Sequence, residues 1–263
     1  MLEDPRLPSQ ARIALACLDL TSLNDADCEA DVAALCARAQ GPCGPVAAVC
    51  VWPRFAGLAR SLLPAHIAVA AVANFPDGSA DVDRALRETD TIVRAGAQEV
   101  DLVLPWKSLL AGDEAAVTRL LQAARGACAG QTLKVILESG ELRSDALIAH
   151  AARLALDAGA DFIKTSTGKT PVSATPEAAR TMLGAIAAHP QAAQRAGFKA
   201  SGGIRNVVEA GTYMALVRSL LGPQALTSAR FRIGASSLLN DLEAVLRGAG
   251  ARPEGPGPAG SRY

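Results

Sequence analysis

The sequence predicts an α/β protein built as a single (β/α)8 barrel, with a short N-terminal lead-in and a flexible C-terminal tail. Three observations predict it. Eight short apolar or β-branched runs recur roughly every thirty residues, an Ala/Leu/Arg-rich stretch with helical spacing follows each, and no linker divides the chain into halves.

The runs, in order, are Ala14–Leu20, Val46–Trp52, Ile67–Ala73, Glu99–Leu104, Leu133–Glu138, Asp161–Thr165, Gly197–Ser201 and Arg230–Ala235. Each has the length of a strand rather than of a buried helix. The stretches between them carry helix start and stop signals. Asp81–Ala95 sets Val82, Ala85, Leu86, Thr89 and Val93 on one face and stops at Gly96. Thr175-Pro176-Glu177 reads as a cap followed by proline at the first helical position. A doubly wound open sheet is the alternative, but no G-x-G-x-x-G follows the first strand. Residues 1–247 are therefore expected to form the barrel domain, with 1–12 as a lead-in over the barrel base. Residues 248–263 hold five glycines and three prolines and read as a flexible tail.

Composition narrows the function. Half of the 263 residues are hydrophobic, enough for a large core, and 26 basic residues balance 26 acidic ones. That balance lacks the positive footprint of a nucleic-acid or anionic-membrane binder. The first residues, Met1-Leu2-Glu3-Asp4-Pro5, are acidic and broken by proline, so they do not read as a secretory signal. The longest uncharged stretch, Ser61–Pro76, is interrupted by Pro64, His66 and Asn74 and falls short of a membrane span. Six cysteines without a C-x-x-C pair suit reduced thiols in a cytoplasm. Three scattered histidines (His66, His150, His189) give little from which to build a metal centre, so neither a metal nor a cofactor is expected. The sequence does not fix the oligomeric state; a homodimer is the assembly to consider.

Lysine usage is the sharpest clue. Only five of the 26 basic residues are lysine (Lys107, Lys134, Lys164, Lys169 and Lys199). Lysine can lose its proton and form an imine, which arginine cannot. Lys134, Lys164 and Lys199 fall inside predicted strands, where lysine is depleted. Taken singly, each could be a strand lysine snorkelling to a barrel end. Alternation places Lys164 on the face of Phe162 and Ser166, and Asp101 opposite Val100 and Leu102. Neither the filled interior nor the helix-covered exterior of a barrel accepts an unpaired charge. Asp101, Lys164 and Lys199 are therefore expected to pair inside the barrel mouth, although an inert ion pair would satisfy the same rule.

Chemistry supplies a reason for two lysines and an acid. An ordinary lysine, with a pKa of about 10.4, leaves fewer than about one amine in a thousand neutral at pH 7. A neighbouring ammonium and the loss of water depress that value, so one lysine can become an imine-forming nucleophile while the other stays charged. The carboxylate can then carry protons through a water. Such a set suits making or breaking a C–C bond through an enamine. Phosphate signals follow later in the chain. Ser201-Gly202-Gly203-Ile204-Arg205 comes after the seventh strand, and Gly234-Ala235-Ser236-Ser237 follows the eighth and opens a helix. Thr165-Ser166-Thr167-Gly168-Lys169 adds hydroxyls and a cation after the sixth.

The run Phe162-Ile163-Lys164-Thr165-Ser166-Thr167-Gly168-Lys169 resembles the Schiff-base signature of the 2-deoxyribose-5-phosphate aldolase family, metal-free class I aldolases on a TIM barrel. Leu18-Asp19-Leu20-Thr21, Cys50-Val51-Trp52-Pro53-Arg54-Phe55, Asn74-Phe75-Pro76 and Glu99-Val100-Asp101 match that family in order and spacing. So do Phe198-Lys199 ahead of Gly202-Gly203, and Gly234-Ala235-Ser236-Ser237-Leu238-Leu239. The resemblance covers roughly residues 14–247. It implies reversible cleavage of 2-deoxy-D-ribose 5-phosphate to D-glyceraldehyde 3-phosphate and acetaldehyde, with no cofactor and small molecules as the partners. By it, Lys164 is the Schiff-base lysine, Asp101 the proton carrier and Lys199 the charged partner of Lys164. Asp19, Thr21, Cys50, Thr167 and Gly168 would contact substrate, while Lys169, Gly202, Gly203, Gly234, Ser236 and Ser237 would serve mainly its phosphate. The terminal Tyr263 would reach back as a proton relay. Ala200-Ser201 stands where the family often has Pro-Ala, which is expected to loosen that turn and add a hydroxyl near the phosphate. A transaldolase-like or keto-acid aldolase would share the imine but not the Asp19, Asp101, Lys164 and Lys199 set. Those intact residues also weigh against a barrel that only binds a sugar phosphate.

Overall fold

The computed structural model describes residues 6–248. The first five residues and the tail with Tyr263 lie outside that range. The elements run α1 (Leu7–Ala16), β1 (Leu18–Thr21), α2 (Glu29–Arg38), β2 (Ala48–Val51), α3 (Ala56–Leu62), β3 (Ala68–Ala73), α4 (Val82–Arg94) and β4 (Glu99–Val103). They continue α5 (Trp106–Leu110), α6 (Glu114–Ala127), β5 (Thr132–Ile136), α7 (Ser139–Leu142), α8 (Asp145–Asp157), β6 (Phe162–Lys164) and α9 (Pro176–Ala188). The last four are β7 (Gly197–Ser201), α10 (Val207–Leu221), β8 (Phe231–Ala235) and α11 (Leu238–Leu246). The strands pair in chain order and all in parallel, and β8 closes onto β1 with Asp19 beside Gly234. This is the (β/α)8 barrel that the eight-fold repeat predicts.

Most expected strand ends differ from the observed ones by one or two residues, and the largest departure is at the start of the first strand. Ala14–Leu20 reads as the first strand, but Ala14–Ala16 form the last turn of α1, and the strand starts at Leu18. The reason is packing. Pro8 stands at the start of the helix, and Ala11, Ala14 and Leu15 recur at helical spacing and are buried, with the helix packed against α10 and α11. The lead-in is thus a helix that overruns the apolar run.

The caps read from sequence are present. The Asp81 side chain accepts the N–H of Arg84 at the head of α4, and Thr175 accepts that of Ala178 at the head of α9. The buried face of α4 is Ala85, Thr89 and Ile92. Outward strand residues such as Val49, Val100, Leu102, Val135, Ile163 and Phe198 are fully buried beneath the helices and form most of the core. Truncating one of these aliphatic side chains to alanine costs about 2–5 kcal/mol in a typical core. A second, smaller apolar cluster lies inside: Leu23, Cys50, Ala70, Val72, Phe75, Val103 and Ile136. Seven other inward positions carry charge, and they make the site.

Candidate active site

Alternation along β1, β4, β5, β6, β7 and β8 turns Asp19, Glu99, Asp101, Lys134, Lys164, Lys199 and Arg232 into the barrel, where all are buried. Register then decides who meets whom. Lys164 on β6 lies beside Lys199 on β7, and Asp101 on β4 lies beside Lys134 on β5. The ammonium of Lys164 donates to Asp101 Oδ2 at 2.9 Å, and that of Lys199 donates to the same oxygen at 2.7 Å. One carboxylate oxygen therefore holds both amines together, as the sequence reading required. Lys199 has a second carboxylate, Asp19 Oδ2, at 2.5 Å.

Below this pair is a second tier. Lys134 bonds Asp19 Oδ2 at 2.9 Å and Glu99, and its nitrogen stands 3.2 Å from Asp101 Oδ1. That last contact is an ion pair without hydrogen-bond geometry, and Asp101 Oδ1 accepts no hydrogen bond among the described residues. The Arg232 guanidinium donates to Asp19 Oδ1 at 2.6 Å and to Glu99 Oε1 at 2.7 Å. Its other side faces the Phe162 ring, 5.6 Å from the centroid. Gly197 leaves space for that ring, because a Cβ there would overlap it. Gly234 does the same for lysine: a Cβ would stand 3.1 Å from Lys199 Cε and 2.7 Å from Ser201 Oγ.

The environment separates Lys164 from Lys199. Burial drives the pKa of Lys164 below its ordinary value; Asp101 opposes the shift and the Lys199 charge adds to it. Burial rather than the neighbouring ammonium is thus the leading cause. Lys199 feels the same burial, but Asp101 and Asp19 overcome it and hold its pKa well above the ordinary value. Asp101 resists burial because Lys134, Lys164 and Lys199 surround it, and its carboxyl stays well below the usual range. The arrangement therefore offers one amine whose proton is held less tightly than usual, beside an ammonium and a carboxylate.

The loops above the lysines converge on one cavity. Gly168, Ser173, Gly202, Gly203, Ser236 and Ser237 help to line a space of about 250 Å³. Gly202 and Gly203 take φ of 91° and 82°, which favours glycine. Ser237 is the N-cap residue of α11 and makes no side-chain cap there. A helix start with glycine loops beside it is suited to an anion. A larger groove of about 470 Å³ lies between α8 and α9, with Arg153, Asp157 and His189, and none of the expected site residues lines it.

Other expected residues fall as follows. Thr21 is buried, and its hydroxyl donates to the Asp19 carbonyl at 2.8 Å. Cys50 is buried and faces inward, and burial pushes its thiol pKa up. Lys169 Nζ donates to the Leu23 carbonyl at 2.8 Å, reaching from the sixth loop to the first. Gly234 lies within β8 and does not line the cavity; its place is under the Lys199 stem. Ser201 does not line the cavity either. Its N–H bonds Thr165 Oγ1 at 3.0 Å and its carbonyl accepts from Ser166 Oγ at 2.6 Å, so the turn expected to be loose is stitched to the sixth loop. Tyr263 is outside the described residues.

Sequence reasoning left Glu99, Arg232 and Glu138 unassigned, and it noticed Lys134 without giving it partners. Alternation on β8 could have found Arg232, which shares the inward face with Gly234.

The chain is similar to known proteins over most of its length. A protein of Toxoplasma gondii ME49 provisionally assigned as a deoxyribose-phosphate aldolase superposes with a TM-score of 0.83 at 26% identity, covering 92% of this chain and 95% of that one. A similarly assigned protein of Coccidioides immitis gives 0.76 at 29%, covering 89% and 86%. The deoxyribose phosphate aldolase of Aeropyrum pernix, a tetramer, gives 0.70 at 27%, covering 92% and 98%. Residues 13–244 match the sequence profile of the DeoC/LacD family aldolases, a span that takes in every charged side chain of the barrel interior. The chain belongs to the DeoC/LacD aldolase family.

Proposed function

We propose that this aldolase reversibly cleaves 2-deoxy-D-ribose 5-phosphate into D-glyceraldehyde 3-phosphate and acetaldehyde through an imine on Lys164. The observation that carries the proposal is the Lys164 amine, buried against Asp101 and Lys199 at the end of β6, where burial favours its neutral form. In the cleavage direction the neutral amine adds to the C1 aldehyde of the open sugar, and water leaves to give an iminium. The C3 hydroxyl then loses its proton and the C2–C3 bond breaks. The bonding pair moves into the iminium as an enamine, and D-glyceraldehyde 3-phosphate departs. Protonation of the enamine carbon and hydrolysis release acetaldehyde and restore Lys164. Asp101 moves the protons through a water. Lys199 stays charged, held so by Asp101 and Asp19, and keeps the Asp101 carboxylate in place. The phosphate sits in the cavity of Gly168, Gly202, Gly203, Ser236 and Ser237. The partners are these small molecules.

The cytoplasm is the compartment we assign, supported by six cysteines carried as free thiols. No helix among the described residues is long and apolar enough to cross a membrane.

Borohydride reduction in the presence of acetaldehyde tests the proposal, alongside a cleavage assay on deoxyribose 5-phosphate without added metal. The expected result is cleavage, with a two-carbon adduct on the Lys164 peptide. Cleavage with an unmodified Lys164 would overturn the imine; no cleavage would overturn the substrate.

A further inference from the structure

Glu138, just past the end of β5, adopts a left-handed backbone conformation, φ 55°, which a non-glycine residue keeps only where its surroundings hold it there. Its side chain, fully buried, explains the hold. The carboxylate accepts the Thr167 N–H at 3.2 and 3.3 Å, the Thr167 hydroxyl at 2.5 Å and the Thr170 hydroxyl at 3.2 Å. The Thr167 N–H and hydroxyl are thereby both engaged, and the hydroxyl oxygen also accepts the N–H of Lys169 at 3.0 Å. The grip continues along the loop. A methyl group on Gly140 in α7 would overlap the Val172 carbonyl, and one on Gly202 would stand 2.5 Å from Ser173 Cβ. Residues 167–173 are therefore clasped from the β5 side by Glu138 and Gly140, and from the β7 side by Gly202.

We infer that Glu138 is a positioning residue for anion binding: acting through Thr167, it fixes the Thr167-Gly168-Lys169 arm over the cavity that also contains Gly202, Gly203 and Ser237. The inference rests on the proposed function in taking the substrate phosphate as that anion. Glu138 itself does not touch the ligand; its hydrogen bonds set where the arm stands. A buried carboxylate that receives donors from a main chain and two hydroxyls is a strong anchor, because charged hydrogen bonds exceed neutral ones.

Glu138→Gln keeps the shape and sets an amide NH2 against the same donors. The measurement is kcat/KM on deoxyribose 5-phosphate and on unphosphorylated deoxyribose, with calorimetry of inorganic phosphate on the same proteins. The phosphorylated-to-unphosphorylated ratio should fall about tenfold, mainly in KM, and phosphate affinity should weaken by a similar factor. Thr167→Val added to Glu138→Gln should cost little more, because the two act as a unit. Equal losses on both sugars, or unchanged phosphate affinity, overturn the inference. The calorimetric arm does not depend on cleavage, so a wild type that fails to cleave deoxyribose 5-phosphate would count against the substrate and not against Glu138. If Glu138→Gln does not fold, Thr170→Val removes one donor from the half-exposed side and should weaken phosphate about threefold; no weakening overturns the inference again.

Discussion

Lys134 and Lys164 stand on neighbouring strands of one barrel, both buried, both facing inward and both beside Asp101, yet their protons are held in opposite ways. Burial alone would strip either amine of its charge, since the loss of water costs several kcal/mol per ion. Company decides the outcome. Lys134 has Asp19, Glu99 and Asp101 around it, and its pKa rises. Among the described residues Lys164 forms an ion pair with Asp101 alone, shares it with the Lys199 ammonium, and its pKa falls. The register explains the difference: Phe162 pairs with Lys134 and Lys164 with Ile136, so Lys164 sits one layer nearer the mouth. The same residue type thus serves as structural cation or as nucleophile according to its height in the barrel.

Three substitutions test that contrast. The largest effect belongs to Asp101→Asn, which removes the anion both tiers share. Turnover should fall about 10²- to 10⁴-fold, the range of a lost general acid–base group, and folding stability by about 3–5 kcal/mol. Because the Asp101 carboxyl lies well below its ordinary value, its stabilisation is complete above about pH 4 and lost as pH falls further. Denaturation across that range should therefore be shallower in the variant, and identical acid-unfolding curves would contradict the pairing.

Lys199→Leu comes next. It removes a repelling charge and leaves Asp101 to Lys164, so the Lys164 pKa should rise and the acid limb of the pH–rate profile should move to higher pH. With less neutral amine at pH 7, turnover should fall, by about tenfold for every pH unit that the limb moves. An unmoved limb would separate the two lysines. Arg232→Met should have the smallest effect on chemistry. It leaves Asp19 and Glu99 short of a cation at the base, so stability should drop by about 3–5 kcal/mol while the acid limb moves far less than in Lys199→Leu. A limb that moved as far would show the tiers to be one unit, which thermal melts and pH profiles together resolve.

The sequence reveals much of this, for physical reasons. Strands of a parallel barrel are covered on both faces, so they read as short apolar runs, and lysines inside such runs are conspicuous where arginine is the ordinary cation. Asp101, Lys164 and Lys199 are legible on that ground. The start of the first strand is not, since Ala14-Leu15-Ala16 is apolar enough for strand or helix and only packing against α10 and α11 decides. Arg232 is hidden by the chain's arginine richness, and Glu99 by its place beside the more telling Asp101. Glu138 shows no local signal, because its role depends on a left-handed backbone and on a loop nearly thirty residues away.

The two tiers have one further consequence. Within the ion-paired cluster, from which the separately hydrogen-bonded Glu138 stands apart, Asp19, Glu99 and Asp101 are matched by Lys134, Lys199 and Arg232, so the cluster is balanced only when Lys164 carries no charge. An iminium on Lys164 restores the same surplus of one positive charge that the ammonium created. The amine relieves that surplus by releasing a proton from nitrogen, the iminium by releasing one from carbon. A single electrostatic imbalance therefore favours both the nucleophile and the enamine that follows it.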